Sequence, residues 1–228
     1  MSTLNHCTDD ISKQTPVALF GPEVTRWTQE SLSSLQSTLL HNTHLKFLIE
    51  TLVRLPSLWP LLEEHYKLSN PAGRERVQQL SDLATGKTTP DPKSLSNVHW
   101  AALTIVSHAV DFVCMAEETD DRSQTMGQAP RLRGFQAVQG FCIGFLSAAA
   151  VSCSSDWTEF ERNTSNALRL AVCIGAIVDA EDELHDPTGR ATAISVRWKR
   201  DSDRAYFEAS LDRFPDVSCF ERLSIGRR

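Results

Sequence analysis

Residues 140–144 read Gly140-Phe141-Cys142-Ile143-Gly144, with a glycine two places before a cysteine and another two places after it. The flanks make the pattern informative. Residues 132–139 read as a short strand that runs straight into Gly140. Residues 143–151 are small and apolar and read as a helix. Strand, Gly-x-nucleophile-x-Gly, helix is the arrangement of a nucleophile elbow. A sharp turn of this kind brings the strand and helix backbones so close that Gly140 and Gly144 can carry no side chain. The turn lifts Cys142 out of the sheet and sets it at a helix N-terminus, where free N–H groups and the helix dipole favour a thiolate. The N–H of Ile143, the next residue, can then point into an oxyanion hole. A second reading stays open on the motif alone, in which Cys142 is a buried core thiol beside two packing glycines.

The segments on either side set this corner in a helical context. Residues 16–21 (PVALFG) read as a buried strand ending in a turn. Thr28 is placed to cap a helix with Glu30 in its first turn, and Leu32, Leu35, Leu39 and Leu40 follow at helical spacing. Leu45, Leu48, Leu52 and Val53 predict a second helix that stops near Leu55-Pro56, and residues 58–66 a third. Asn70-Pro71 and Gly73 mark a turn. Val77, Leu80 and Leu83 predict another amphipathic helix with Gly86 as its C-terminal stop. After a Pro/Lys/Thr loop, Asn97 is the expected cap of a helix over 98–117, apolar nearly all round and therefore central. Asp156 is expected to cap a long helix reaching about residue 180. An acidic loop holding His185 follows, then an alternating strand at Ile194, Val196 and Trp198, then a helix from Ser202 to about Phe214.

Composition narrows the function classes. The chain has 228 residues and a net charge of -6, from 23 Lys+Arg and 29 Asp+Glu; 41% of it is hydrophobic. No basic stripe supplies phosphate contacts, so nucleic acid is not an expected partner. The longest apolar stretch, taken as residues 140–153, falls short of the roughly 20 residues of a membrane span, so no membrane association is expected. The N-terminus lacks the pattern of a secretory signal. The six cysteines, at 7, 114, 142, 153, 173 and 219, form no CxxC pair and no zinc spacing with histidine. No metal site is expected, and reduced thiols point to a cytoplasmic setting. Among the histidines, His108 reads as a satisfied core residue, His99 as part of a helix start, and His41, His44 and His65 as surface positions.

Several stretches together resemble a known family. They are Phe20-Gly21-Pro22-Glu23, Trp59-Pro60-Leu61-Leu62, Leu103-Thr104-Ile105-Val106-Ser107-His108, residues 134–144 with Ser147-Ala148-Ala149-Ala150, Asp203-Arg204-Ala205-Tyr206, and Phe214-Pro215-Asp216. They are similar to the starter-unit acyl-carrier-protein transacylase domain at the N-terminus of fungal non-reducing polyketide synthases, over about residues 17–216. The resemblance implies an α/β fold of the malonyl-transacylase type, a hydrolase-like core with a ferredoxin-like lid. Residues 1–15 would be a polar leader, 16–190 a partial core, and 191–228 the start of the lid with a divergent tail.

The implied chemistry is ping-pong acyl transfer. Cys142 takes an acyl group from an acyl-CoA or carrier-protein thioester and passes it to the phosphopantetheine thiol of an acyl carrier protein, with no bound cofactor. By the same resemblance the second oxyanion N–H comes from Glu23. Malonyl-selective relatives carry an arginine in the long helix after the elbow. The matching stretch here, Val172-Cys173-Ile174-Gly175-Ala176, has none, which implies a neutral acyl group. The family's general-base histidine lies after the lid, and none of the seven histidines matches it. The expectation is therefore a domain truncated at its C-terminus, slowed by about 10²–10⁴-fold for want of the base. The alternatives are an inactive fragment, a carrier-protein-binding module, or a cysteine hydrolase or thioesterase on the same fold.

Overall fold

The computed structural model describes residues 17–21, 27–66, 71–121, 135 and 137–185. The chain divides into two compact units, Met1–Ala180 and Glu181–Arg228, and the core below is that of the first. The strand expected around 194–198, the helix expected over 202–214 and Glu23 lie outside the described residues.

The described part is mostly helical around a small parallel sheet, compatible with an α/β fold. Strand β1 (Val17–Phe20) pairs in parallel with β2 (Ala137–Gly140), from Val17 opposite Ala137 to Phe20 opposite Gly140. Helices α1 (Gln29–His41), α2 (Lys46–Tyr66), α3 (Pro71–Ala84) and α4 (Asn97–Asp121) occupy the long connection between the two strands. Helices α5 (Gly144–Ser152) and α6 (Trp157–His185) follow β2. Strand β1 alternates: Ala18 and Phe20 are buried, while Val17 and Leu19 are exposed. The run PVALFG suggested a buried strand; the strand is there, and every second residue of it is buried.

The capping chemistry follows the sequence. The Thr28 hydroxyl accepts the Ser31 N–H at 3.1 Å, and the Ser31 hydroxyl accepts the Thr28 N–H at 2.9 Å, a reciprocal cap for α1. At the end of α3 Gly86 takes φ 75°, with Gly86 N–H to Leu83 O at 3.2 Å and Lys87 N–H to Asp82 O at 3.0 Å. This is the Schellman pattern that a C-terminal glycine predicts. The Asp156 carboxylate accepts the Glu159 N–H at 2.8 Å at the start of α6.

Other boundaries differ from expectation. Helix α2 does not stop at Leu55-Pro56: it runs through Pro56 and Pro60 as one element. Each internal proline costs about 3 kcal/mol. Burial of Leu48, Leu52, Leu55 and Trp59 along one face offsets it. Pro71 is not in the turn but opens α3, where a missing N–H costs nothing. Gly73 lies inside that helix, because a Cβ there would meet the Trp59 indole. His185 is the last residue of α6 rather than part of a loop.

Helix α4 is the central element. Val98, Ala102, Leu103, Ile105, Val106, Ala109, Val110, Phe112 and Val113 are all buried, as its all-round apolarity predicted. Its segment Asn97–Glu117 is long and apolar enough to cross a membrane by length and composition, which corrects the choice of 140–153 as the longest such stretch; most of that window is buried in the core. The cap of α4 is Ser96, not Asn97, since the Ser96 carbonyl accepts the Trp100 N–H at 2.9 Å.

Candidate active site at the strand–helix corner

The corner between β2 and α5 has the tight geometry that the glycines require. The Phe141 N–H donates to Phe20 O at 2.9 Å, which carries the strand pairing one step past Gly140. The chain then turns at once: Gly144 N–H donates to Phe141 O at 3.1 Å and Phe145 N–H to Cys142 O at 3.0 Å. A Cβ on Gly140 would lie 2.5 Å from the Phe145 Cα, and one on Gly144 2.7 Å from the Phe20 carbonyl carbon. Both positions exclude any other residue without backbone movement.

Cys142 stands at the apex with φ 56°, and it is the only non-glycine residue with positive φ among the described residues. A left-handed conformation costs a cysteine about 1–2 kcal/mol. The strain is held in place by the strand pairing on one side and the helix on the other. Cys142 is exposed, so it is not the buried core thiol of the alternative reading. Ile143 is the N-cap residue of α5, without a side-chain cap, and its N–H has no acceptor among the described residues.

Cys142 opens onto a cleft of about 580 Å³. One wall is a single face of α4, formed by Asn97, Trp100, Ala101 and Thr104 at positions i, i+3, i+4 and i+7. The opposite wall is Ile174, Gly175 and Val178 of α6, and the elbow side is Ile143, Phe145 and Leu146. The lining is predominantly apolar. The sequence reading missed the α4 wall. Apolar residues on every side of that helix left no one face to single out.

One end of the cleft is pinned by charge. Asp179 of α6 is 6% exposed, and its carboxylate accepts the Asn97 N–H at 2.8 Å, the Asn97 side-chain amide at 2.9 Å and the Val98 N–H at 3.2 Å. Arg76 of α3 donates to it at 3.0 Å. An acidic side chain at a helix N-terminus satisfies both the orphan N–H groups and the dipole. His99, in the same first turn of α4, is 1% exposed. Its Nδ1 accepts the Ser96 N–H at 3.2 Å. Burial pushes its imidazole down to about 4; Arg76 adds to the shift and Asp179 opposes it.

The other histidines fall largely where the sequence put them. His108 packs on Phe20 at 5.3 Å between ring centroids, and its Nδ1 shares a 2.9 Å hydrogen bond with the Ser147 hydroxyl, as a satisfied core histidine does. His41 and His65 are exposed. His44 is half-buried, edge-on to Trp157 at 5.8 Å. No histidine lines the Cys142 cleft among the described residues. Of the other thiols, Cys153 is exposed, and burial pushes the half-buried Cys173 thiol up.

Comparison with known proteins gives a consistent answer. Residues 18–215 match the family described as "Starter unit:ACP transacylase in aflatoxin biosynthesis". The non-reducing polyketide synthase adrD of Penicillium roqueforti is 36% identical over 205 residues, covering 89% of this chain and 8% of that protein. The non-reducing polyketide synthase nvfA of Aspergillus novofumigatus is 35% identical over 202 residues, covering 87% of this chain and 8% of that protein. The chain thus spans less than a tenth of the length of these relatives. With residues 18–215 matched, most of its length, the chain belongs to the starter unit:ACP transacylase family.

Proposed function

We propose that the chain acts as an acyltransferase domain that loads starter units in polyketide biosynthesis, with Cys142 as its nucleophile. The observation that carries this reading is the strained corner itself. A cysteine at φ 56°, exposed, on a helix N-terminus and facing an apolar cleft, has no packing role that would explain its cost. In this reading the Cys142 thiolate attacks the carbonyl of an acyl-CoA or acyl-phosphopantetheine thioester. The Ile143 N–H, with that of Glu23, holds the oxyanion. The thiol of the donor leaves, and the acyl group passes by the reverse chemistry to the phosphopantetheine thiol of an acyl carrier protein. The fold would be the hydrolase-like core and ferredoxin-like lid that the family implies.

The acyl group in this reading is neutral. The α6 wall offers Ile174, Gly175 and Val178 and no cation, and Arg76 is already engaged by Asp179. A free carboxylate on the substrate would enter an apolar cleft with no cationic partner among the described residues, which is costly.

A second reading, a carrier-protein-binding module without turnover, is favoured by the absence of a histidine in the cleft among the described residues. Intact-mass spectrometry after incubation with acetyl-, hexanoyl- and malonyl-CoA separates the two. An acyl adduct on the wild type that is lost in Cys142→Ala supports the enzyme. No adduct from any donor rejects it, and preferential charging from malonyl-CoA rejects the neutral-acyl reading.

A further inference from the structure

The cleft beside Cys142 has two unlike ends. At the far end α4 and α6 touch: a Cβ on Gly175 would lie 2.7 Å from the Asn97 carbonyl carbon and 2.7 Å from the Val98 Cα. The Asp179 carboxylate locks that contact by bonding the Asn97 and Val98 N–H groups. Toward the C-terminus of α4 the helix is tied instead to α5, through His108 and Ser147. The α4 wall from Asn97 to Thr104 therefore runs about 10 Å from the closed α4–α6 contact toward the elbow helix. Trp100 stands one turn inside the closed end. It is the largest side chain of that wall, set among Asn97, Ala101 and Thr104, and it faces a helix that presents Gly175.

We propose that the groove between α4 and α6 seats the hydrocarbon chain of the group carried on Cys142, and that Trp100 is the residue that limits its length. The inference rests on the acyl-transfer reading for its biological meaning. The groove itself is defined by the lining of Cys142 with apolar side chains. A chain attached at the elbow extends along the α4 face until the indole and the α4–α6 contact stop it. Truncating Trp100 opens space at the end of the groove without touching the Asp179 lock. A larger side chain at Ile174, which is 39% exposed on the facing wall, narrows it.

The test uses a reaction that needs no acyl transfer. Alkyl methanethiosulfonates modify any accessible thiolate: the cysteine sulfur attacks the thiosulfonate sulfur, a disulfide forms and methanesulfinate leaves. Cys153, also exposed but not in the cleft, is an internal control. Labelling rates at Cys142 and Cys153 are measured by peptide mass spectrometry for methyl, butyl, hexyl, octyl and dodecyl reagents. The expected result is a Cys142-to-Cys153 ratio that rises severalfold with chain length and then falls, with the maximum moved to longer chains in Trp100→Ala and to shorter ones in Ile174→Phe. If Trp100→Ala loses its circular-dichroism signal, Trp100→Phe is used, with a smaller move in the same direction. A ratio independent of chain length, or a maximum that stays in place in the variants, overturns the proposal. The two readings fail separately. Chain-dependent labelling without any adduct from acyl-CoA rejects the transferase and leaves the groove. An adduct with no chain dependence does the reverse.

Discussion

Gly144 packs directly against the carbonyl of Phe20: a Cβ at position 144 would lie 2.7 Å from the Phe20 carbonyl carbon and 2.9 Å from the Gly21 oxygen. The first strand and the elbow helix are therefore in backbone contact, and the nucleophile candidate rides on that contact. Gly144→Ala should force β1 and α5 apart and cost on the order of 1–3 kcal/mol, the usual range for overpacking. Urea denaturation of the two proteins measures it. An unchanged midpoint would mean that the corner is far softer than its geometry indicates.

The strain at Cys142 gives a second prediction, with a sign opposite to ordinary core mutations. At φ 56° a glycine is at ease and an alanine is not. Both substitutions remove the thiol, so the comparison isolates the backbone. Cys142→Gly should be more stable than Cys142→Ala by about 1 kcal/mol, and each should abolish acyl adduct formation in the mass assay. Equal stabilities would place the strain elsewhere.

The tight strand–helix corner was legible in sequence because its requirement is steric and local: two missing side chains at fixed spacing around one cysteine. The caps at Thr28, Gly86 and Asp156 were legible for the same reason. The reading failed where packing at a distance decides. Nothing local announces that α2 continues through Pro56 and Pro60, since Trp59 and Leu55 hold it there by burial. Gly73 resembles a turn residue, but it is a helix residue that makes room for the Trp59 ring. Trp100 and Asp179 became site residues only when α4 and α6 came together. His99 read as an ordinary helix-start residue, because its burial comes from other elements.

That burial gives His99 a pH dependence. Its folded-state pKa is about 4, below the ordinary 6.5. Between these values the unfolded chain binds a proton that the folded one does not. The stabilisation is therefore complete above about pH 6.5 and is lost as the pH falls toward 4, by up to about 3 kcal/mol. His99→Gln keeps an acceptor for the Ser96 N–H and removes the titration. Urea midpoints at pH 7 and pH 5 should fall more steeply for the wild type than for His99→Gln. Parallel slopes would assign the acid sensitivity to other groups.

The contact of Asp179 with the N-terminus of α4 can be separated from its ion pair with Arg76 by the order of two mutational costs. Asp179 receives one guanidinium at 3.0 Å but also three N–H groups from Asn97 and Val98. Asp179→Ala leaves Arg76 without its carboxylate and strips the cap from a buried helix end, at a cost of about 3–5 kcal/mol. Arg76→Met removes one partner only, and the carboxylate keeps its three N–H donors and the helix dipole. If the carboxylate is first a helix cap and second an ion-pair partner, Asp179→Ala should be clearly the more damaging. The double variant should then cost little more than Asp179→Ala alone. Denaturation of the four proteins in one cycle reads both quantities. An Arg76→Met cost equal to that of Asp179→Ala would instead make the guanidinium the dominant partner, and α4 would owe its position to α3 rather than to α6.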